Sequence, residues 1–243
     1  MKNFGMRAKL FAVLMALVLL VSVLPAMAEE AAKPVSVYVT VSNGGAFETT
    51  KDGETAVRLN VETDAGNTIG DIMLALHEQY SANGAEDYAT EDSEYGAYIV
   101  KLWGVETSNC GYYLNGQMAY GLTDAVADGD TLEVILYANA YPDTEAYASF
   151  NQMTANVAAN EDVALVLYSA SYDENYNMIM NPCEGAAITV NGEATELVTD
   201  AEGNVTVNFA EAGTYIVSAT LTKTVGDQEA TAITAPVCVV TVE

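Results

Sequence analysis

The sequence predicts an α+β module of the β-grasp (ubiquitin-like) type followed by an all-β sandwich. Three observations carry this prediction. Valines occupy alternate positions over residues 35–41, one segment at 68–80 has helical periodicity, and a succession of strand-like runs beyond residue 150 contains no helical pattern. Alternation with a period of two is typical of a half-buried strand, whereas apolar residues spaced by three and four positions indicate an amphipathic helix.

The first module is predicted over residues 35–140 with the element order β-β-α-β-β-β. Its first two strands are expected at 35–41 and 57–61, and Asn115-Gly116 is a strong signal of a tight hairpin. The acidic segment 85–96 is expected to be a loop. One helix laid across a small mixed sheet corresponds to the β-grasp arrangement.

The helix of this module is expected to begin after Thr68. The Thr68 side chain can cap the helix, and Asp71, three residues later, completes a capping box. The side chains that share one apolar face are Ile69, Ile72, Met73, Leu76 and Tyr80. This face is expected to pack against the sheet.

The second module is predicted over residues 151–243, after a linker at 141–150 that contains Pro142 and shows little periodicity. Turn signals recur at short intervals between its apolar runs, at Asn191-Gly192, Glu202-Gly203-Asn204 and Ala212-Gly213. Many short strands separated in this way are typical of a β-sandwich.

The N-terminus predicts a secretory signal peptide over residues 1–28, followed by a short lead over 29–34. A basic start precedes an apolar run of about fifteen residues, and Ala26-Met27-Ala28 has the small-x-small pattern of a cleavage site. The run is too short for a comfortable membrane span. The mature protein is therefore expected to be secreted, extracellular or associated with the cell surface, without membrane insertion after cleavage.

The chain is strongly acidic, with 34 Asp and Glu against 8 Lys and Arg and a formal net charge of −26. Such a surface repels nucleic acid and anionic membranes, so nucleic acid is excluded as a partner. The charge itself is typical of a solvated exterior and does not determine the fold.

Two family resemblances follow from these motifs. Residues 35–138 resemble the transcobalamin-like C-terminal domain family, through the valine-rich first strand, the helix TIGDIMLAL, YYLNG at 112–116 and DGDTL at 128–132. The second half resembles bacterial immunoglobulin-like modules, through GAAITVNG, TDAEGNVTV and AGTY. The first resemblance implies a β-grasp domain that covers one side of a corrinoid (cobalamin). The second implies a spacer or adhesive module.

The uncharged hairpin over 112–120 contains the candidate ligand-binding residues. Tyrosine rings offer rigid apolar area with a polar tip, and side-chain amides can both donate and accept hydrogen bonds. The proposed ligand-binding residues are Tyr112, Tyr113, Asn115, Gln117 and Tyr120. The alternative is an ordinary hairpin in which one ring enters the core and Asn115 serves the turn.

The three cysteines predict one disulfide. Export places them in an oxidising compartment, and Cys183 and Cys238 lie in the same half of the chain, so they are the natural pair. Buried free thiols are the alternative. If Cys183 and Cys238 form the disulfide, Cys110 remains unpaired.

No catalytic or metal-binding motif stands out in the sequence. His77 is the only histidine, and a Cys110–His77 nucleophile pair would need the fold to bring helix and hairpin together with an orienting group. Acidic and amide residues from Asp173 to Glu184 have the spacing of a calcium loop, but Met178 stands where that loop needs glycine. No metal site and no cofactor are therefore predicted.

The sequence thus supports two functional hypotheses. In the first, the chain is a non-enzymatic exported binding protein that captures a corrinoid-like or other small amphipathic ligand through the hairpin. In the second, it is a structural or adhesive cell-surface protein that contacts protein or glycan partners.

Overall fold

The computed structural model describes residues 34–138 and 145–243, which belong to one compact unit from Pro34 to Glu243. The predicted signal peptide, the lead up to residue 33 and the linker residues up to 144 lie outside the described residues. No helix in the described ranges is both long enough and apolar enough to cross a membrane.

The first half is built from nine strands and one α-helix. In chain order these are β1 (Val35–Asn43), β2 (Ala46–Phe47), β3 (Leu59–Thr63), α1 (Ile69–Tyr80), a short 3₁₀ helix (Gly84–Asp87), β4 (Ala89–Ser93), β5 (Gly96–Leu102), β6 (Val105–Glu106), β7 (Cys110–Leu114), β8 (Gln117–Met118) and β9 (Thr131–Leu136).

A mixed sheet in the order β2-β1-β9-β7-β8, with β3 also paired to β1, forms the centre of this half. Strands β1 and β9 are parallel, with Val39 opposite Leu132 and Val41 opposite Val134. The remaining pairs in the sheet are antiparallel. The alternating valines of β1 and the leucines and valine of β9 therefore share one face.

Helix α1 covers this apolar face and begins as predicted. Thr68 Oγ1 accepts a hydrogen bond from the Asp71 amide at 3.3 Å, and Asp71 Oδ2 accepts one from the Thr68 amide at 2.9 Å, so the predicted capping box is confirmed. Ile72, Met73 and Leu76 are fully buried in the same cluster as the β1 valines. Full burial of each such side chain contributes about 1.5–3 kcal/mol.

The structure corrects the predicted fold class. The described residues contain twenty strands but only one α-helix, of 12 residues, so the fold is mostly β and the α+β, β-grasp class is wrong. The acidic segment assigned to a loop explains part of the error. Residues 89–93 lack apolar alternation, yet they form β4 and pair with β5, because backbone groups rather than side chains make the ladder.

The second half consists of eleven strands among the described residues. They are β10 (Ala148–Phe150), β11 (Thr154–Val157), β12 (Asp162–Tyr172), β13 (Met178–Pro182), β14 (Ala187–Val190), β15 (Glu193–Val198), β16 (Asn204–Asn208), β17 (Gly213–Thr220), β18 (Thr222–Val225), β19 (Gln228–Thr231) and β20 (Cys238–Val242).

These strands form two main sheets around a second core. Strand β12 pairs with β10, β13 and β16 in one sheet, and the other sheet has the order β11-β20-β17-β14-β15. Leu165, Ile188 and Val240 are among the buried residues that fill the space between them. Two packed sheets of short strands form an immunoglobulin-like sandwich, as predicted for the second half.

The two halves meet in a third apolar cluster, the module seam. Tyr113, Ile135 and Tyr147 are buried there, and the residues packed against them are Tyr137, Ala170, Met178 and Met180. Tyr113 and Ile135 lie on the face of the mixed sheet opposite α1, and the methionines come from β13 of the sandwich. The second face of the mixed sheet is therefore covered by the sandwich.

Gly203 lies at a turn that approaches the backbone of Leu167 closely. Its φ is +76°, and an added Cβ would lie 2.4 Å from the Leu167 carbonyl oxygen. Gly192 has a similar φ of +82°, but nothing lies within 4 Å of an added Cβ. Both glycines thus have a positive φ angle, but only Gly203 lacks room for a side chain.

Replacing Gly203 with alanine should be far more costly than replacing Gly192. Both substitutions put alanine in the left-handed region, at about 1–2 kcal/mol. We expect Gly203→Ala to lower the unfolding free energy by about 3 kcal/mol or more, because the steric overlap adds to that cost. Denaturant unfolding of both variants checks this, and equal losses would contradict the close approach at Gly203.

Candidate functional site

The hairpin predicted to bind a ligand is present, with Asn115 and Gly116 at its turn. Both residues have positive φ angles, +51° and +76°, as a tight hairpin turn requires. The Asn115 side chain donates to Asp130 Oδ1 at 2.9 Å and accepts from the Thr131 amide at 3.0 Å. The Asn115 amide group is thus used to hold the turn against the start of β9.

The two adjacent tyrosines of the hairpin point to opposite faces of the sheet. Tyr112 is half-buried and packs against the core beneath α1. Tyr113 is only 2% exposed and lies in the module seam. Because successive side chains alternate along a strand, the two rings do not form one aromatic surface.

Tyr113 is held in the seam by a parallel stack with Tyr147. The ring centroids are 3.8 Å apart with an interplanar angle of 7°. The Tyr113 hydroxyl also lies 3.4 Å from the hydroxyl of Tyr137. Burial raises the pKa of both stacked phenols, so they remain neutral. Tyr113 therefore joins the two halves of the protein.

The remaining predicted site residues are on the surface. Gln117 is exposed, and its Nε2 donates to the neighbouring Gly116 carbonyl at 3.2 Å. Tyr120 is fully exposed, while its amide donates to Asp124 Oδ2 at 2.7 Å. The five proposed ligand-binding residues are thus divided among the core, the seam, the turn and the solvent, and the structure does not bring them together.

A buried carboxyl group in the seam was missed in the sequence. Glu133 is only 6% exposed, stands opposite Tyr113 in the sheet register, and accepts a hydrogen bond from the Tyr147 hydroxyl. Burial raises its pKa to about 7, although the Tyr147 hydrogen bond opposes the shift. The only signal was its position between Leu132 and Val134, which by itself indicates a solvent-facing residue.

His77 is a structural residue in the core. Its Nδ1 lies 2.6 Å from the Met73 carbonyl oxygen, and its Nε2 accepts from the Trp103 amide at 3.0 Å. The ring also stacks on Tyr88 at a centroid distance of 4.9 Å. Burial lowers the pKa of His77, against opposing effects of the Met73 hydrogen bond and Asp87. Both ring nitrogens are engaged with the backbone.

The predicted disulfide between Cys183 and Cys238 is not formed in the structure. Both thiols are free and buried in the sandwich core, and Cys110 is a third free thiol. Cys238 belongs to β20 in one sheet, whereas Cys183 follows β13 in the other. Burial raises the pKa of Cys110 to about 11, which makes its thiol a poor nucleophile at neutral pH.

The calcium-like segment after Asp173 is a hairpin tip. Asp173 Oδ1 accepts from the amides of Asn175 and Asn177, both at 2.8 Å, and Oδ2 accepts from the Asn177 side chain at 2.9 Å. These bonds occupy the carboxylate that would be the first calcium ligand. In the described ranges, no cluster of three or more His, Cys, Asp or Glu residues is placed to hold a metal ion.

Comparison with known proteins finds likeness in structure alone. No protein-family model and no curated protein matches the chain. The N-terminal four Ig domains of Dscam1 isoform 4.44 match with 12% identity and a TM-score of 0.25, covering 63% of this chain and 32% of that one. The tandem Ig repeats of Dlar match with 15% identity and a TM-score of 0.24, covering 65% and 76%.

A third match is the teleost fish polymeric Ig receptor ectodomain, with 12% identity and a TM-score of 0.19, covering 87% of this chain and 99% of that one. This chain spans about a third of the length of the Dscam1 structures. All three matches are immunoglobulin-domain proteins. At these TM-scores the likenesses carry no argument about function.

Substitution of one buried and one exposed tyrosine of the hairpin separates a structural role from a surface role. We expect Tyr113→Ala to lower the unfolding free energy by about 3–5 kcal/mol, because it removes a buried ring from a stack. Tyr120→Ala should change it by less than about 0.5 kcal/mol, because Tyr120 is exposed. Denaturant unfolding followed by circular dichroism measures both, and a near-neutral Tyr113→Ala would contradict the seam.

His77 should make the helix-side core sensitive to acid. The folded state holds His77 neutral, whereas the unfolded chain protonates it below its ordinary pKa of 6.5. The stability that His77 contributes is therefore present above pH 6.5 and is lost as the pH falls, by about 1.4 kcal/mol per pH unit at most. The cost of His77→Gln, measured by denaturant unfolding, should accordingly shrink between pH 7 and pH 5.

A constant cost of His77→Gln across this range would contradict a neutral, buried histidine. Comparing the two proteins at each pH cancels the titration of groups that do not interact with His77. At pH 7, His77→Gln should lower the unfolding free energy by about 1–3 kcal/mol, because the buried Met73 carbonyl and Trp103 amide lose well-aligned hydrogen bonds.

Proposed function

We propose that the chain is an exported, non-enzymatic structural or adhesive protein of the cell surface, which presents its outer faces to protein or glycan partners. The observation that carries this proposal is the fate of Tyr113. Tyr113, one of the hairpin tyrosines proposed to face a ligand, is instead stacked on Tyr147 in the module seam. The hairpin thereby contributes to a two-module scaffold rather than to an open aromatic ledge.

The chemistry of the candidate catalytic groups also supports a non-enzymatic role. A general base needs a ring nitrogen available to a substrate, and both nitrogens of His77 are engaged with the backbone. A nucleophilic cysteine needs a lowered pKa, whereas burial raises that of Cys110 to about 11. Neither group is poised for catalysis.

Three exposed tyrosines are the most prominent aromatic groups available to a partner. Tyr95, Tyr120 and Tyr176 are 93%, 101% and 87% exposed. Each is outside the regular strands, at the β4–β5 turn, after β8 and at the β12–β13 turn. Tyrosine gives large contact area at low entropic cost and is favoured in recognition surfaces for that reason.

The backbone of the Tyr176 tip is held by several hydrogen bonds. Tyr176 has a φ of +62°, which is costly for an aromatic residue, and its amide donates to the Asp173 carbonyl at 3.0 Å. The Asp173 carboxylate also binds the amides on either side of Tyr176, at Asn175 and Asn177. The backbone that carries the exposed ring is therefore held in place, which reduces the entropic cost of binding.

Binding to whole cells of the producing organism tests the proposal. We expect saturable adsorption of the mature protein that falls at least about tenfold on replacing Tyr95, Tyr120 and Tyr176 together with alanine, since exposed aromatics carry contact area. The matched triple phenylalanine variant keeps the rings and should retain most of the adsorption. Prior treatment of the cells with protease or with periodate distinguishes protein from glycan partners.

The same protein preparations test capture of a small molecule. Cyanocobalamin at about tens of micromolar, a concentration chosen to detect weak binding, should pass freely through a size filter that retains the protein. Saturable retention of cyanocobalamin that Tyr112→Ala abolishes would overturn the proposal in favour of corrinoid capture. Absence of saturable adsorption to untreated cells would overturn the adhesive role.

A further inference from the structure

The module seam buries the carboxyl of Glu133 among tyrosine rings and apolar side chains. Glu133 lies on β9 on the face of the sheet opposite α1, with Thr40 and Tyr113 as its register neighbours. It is 6% exposed, and its neighbours Thr40 and Tyr113 are 5% and 2% exposed. A carboxylate at such a place is costly to ionise unless a positive charge or several hydrogen bonds compensate it.

The groups that face Glu133 do not supply that compensation. Tyr147, from the segment before β10, donates one hydrogen bond to Glu133 Oε2, and Tyr113 from β7 stacks on the Tyr147 ring. The other titratable groups of the seam are the phenols of Tyr137 and Tyr172 and the carboxyl of Glu145. None of these groups can carry a positive charge.

The positive charge of Arg58, which lies near β1, is not directed at Glu133. The Arg58 guanidinium lies over the Tyr38 ring, 4.6 Å from its centroid, and acts on the Cys238 thiol. The Arg58 backbone amide, rather than its side chain, donates to Thr40 Oγ1 at 3.1 Å. Among the residues that the structure describes, the Glu133 side chain therefore depends on Tyr147 for its one hydrogen bond.

We propose that Glu133 and Tyr147 form a pH-sensitive latch between the two modules, which is closed when the Glu133 carboxyl is protonated and loosened when it ionises. The latch joins the two halves because Glu133 belongs to the mixed sheet, whereas Tyr147 lies at the start of the sandwich. This inference stands on the seam alone and does not depend on the proposed surface role.

The direction of the pH dependence follows from proton binding. Burial raises the pKa of Glu133 in the closed seam to about 7, from an ordinary value of 4.5. The closed state therefore binds more protons than the open state. The stabilisation of the closed seam by the protonated Glu133 carboxyl is fully present below pH 4.5. It is lost as the pH rises through about 7 and changes little above that. Raising the pH from 5.5 to 8 should favour opening by roughly 30-fold.

Hydrogen exchange of the whole mature protein measures this opening locally. Protection factors, corrected for the intrinsic pH dependence of exchange, are compared between the seam (residues 112–114 and 133–137) and the core strands β14 and β17 of the sandwich. We expect seam protection to fall roughly 10- to 30-fold between pH 5.5 and 8. Protection of β14 and β17 should change much less.

Two variants separate the latch from the general effect of charge. Glu133→Gln keeps a carbonyl acceptor for Tyr147 without an ionisable group, so its seam protection should be independent of pH. Glu193→Gln removes the same charge from an exposed strand and should behave like the wild type. A pH response that survives Glu133→Gln, or that affects β14 and β17 equally, would overturn the latch.

If Glu133→Gln does not fold, the wild type and Tyr147→Phe still decide the question. Tyr147→Phe keeps the ring stack but removes the hydroxyl that donates to Glu133. Loss of that hydrogen bond should raise the pKa of Glu133 further, because the bond favours the ionised form. The fall in seam protection should therefore move to higher pH, and an unchanged midpoint would contradict the proposal.

Discussion

The structure depends on covering both faces of one mixed sheet. Helix α1 buries the face that carries the alternating valines of β1, and a helix can cover only one face. The other face carries Tyr113, Glu133 and Ile135, which the sandwich covers through Tyr147 and the β13 methionines. Burial of this second face makes residues 34–138 part of a compact unit with the sandwich, and it decides which side chains of the hairpin remain available.

Local patterns in the sequence predicted the elements well. Alternating valines indicated β1, the capping box at Thr68 and Asp71 indicated the start of α1, and Asn115-Gly116 indicated a hairpin turn with the positive φ angles it requires. Each of these signals lies within a few residues of the feature it predicts, because periodicity and capping are local properties of the backbone. The fold class failed where pairing left no such pattern, as in the acidic strand β4.

The placement of the candidate site residues could not be predicted for a different reason, which is that burial by another module leaves no local signature in the sequence. Glu133 alternates with Leu132 and Val134, so its position predicts exposure to solvent, yet it is buried by residues of the sandwich. Tyr113 is affected in the same way. The sequence could show that Tyr112 and Tyr113 point to opposite faces, but only the tertiary structure shows that both faces are occupied.

Two buried titratable groups, one on each side of the sheet, respond to pH in opposite directions. His77, on the α1 side, favours the folded state when it is neutral, so acid weakens the core beneath the helix. Glu133, on the seam side, favours the closed state when it is protonated, so acid strengthens the contact between modules. As the pH falls below 6.5, the two effects therefore act in opposite directions on global stability. A change of pH in this range thus transfers stability from one face of the sheet to the other, which a measurement of global unfolding alone would underestimate.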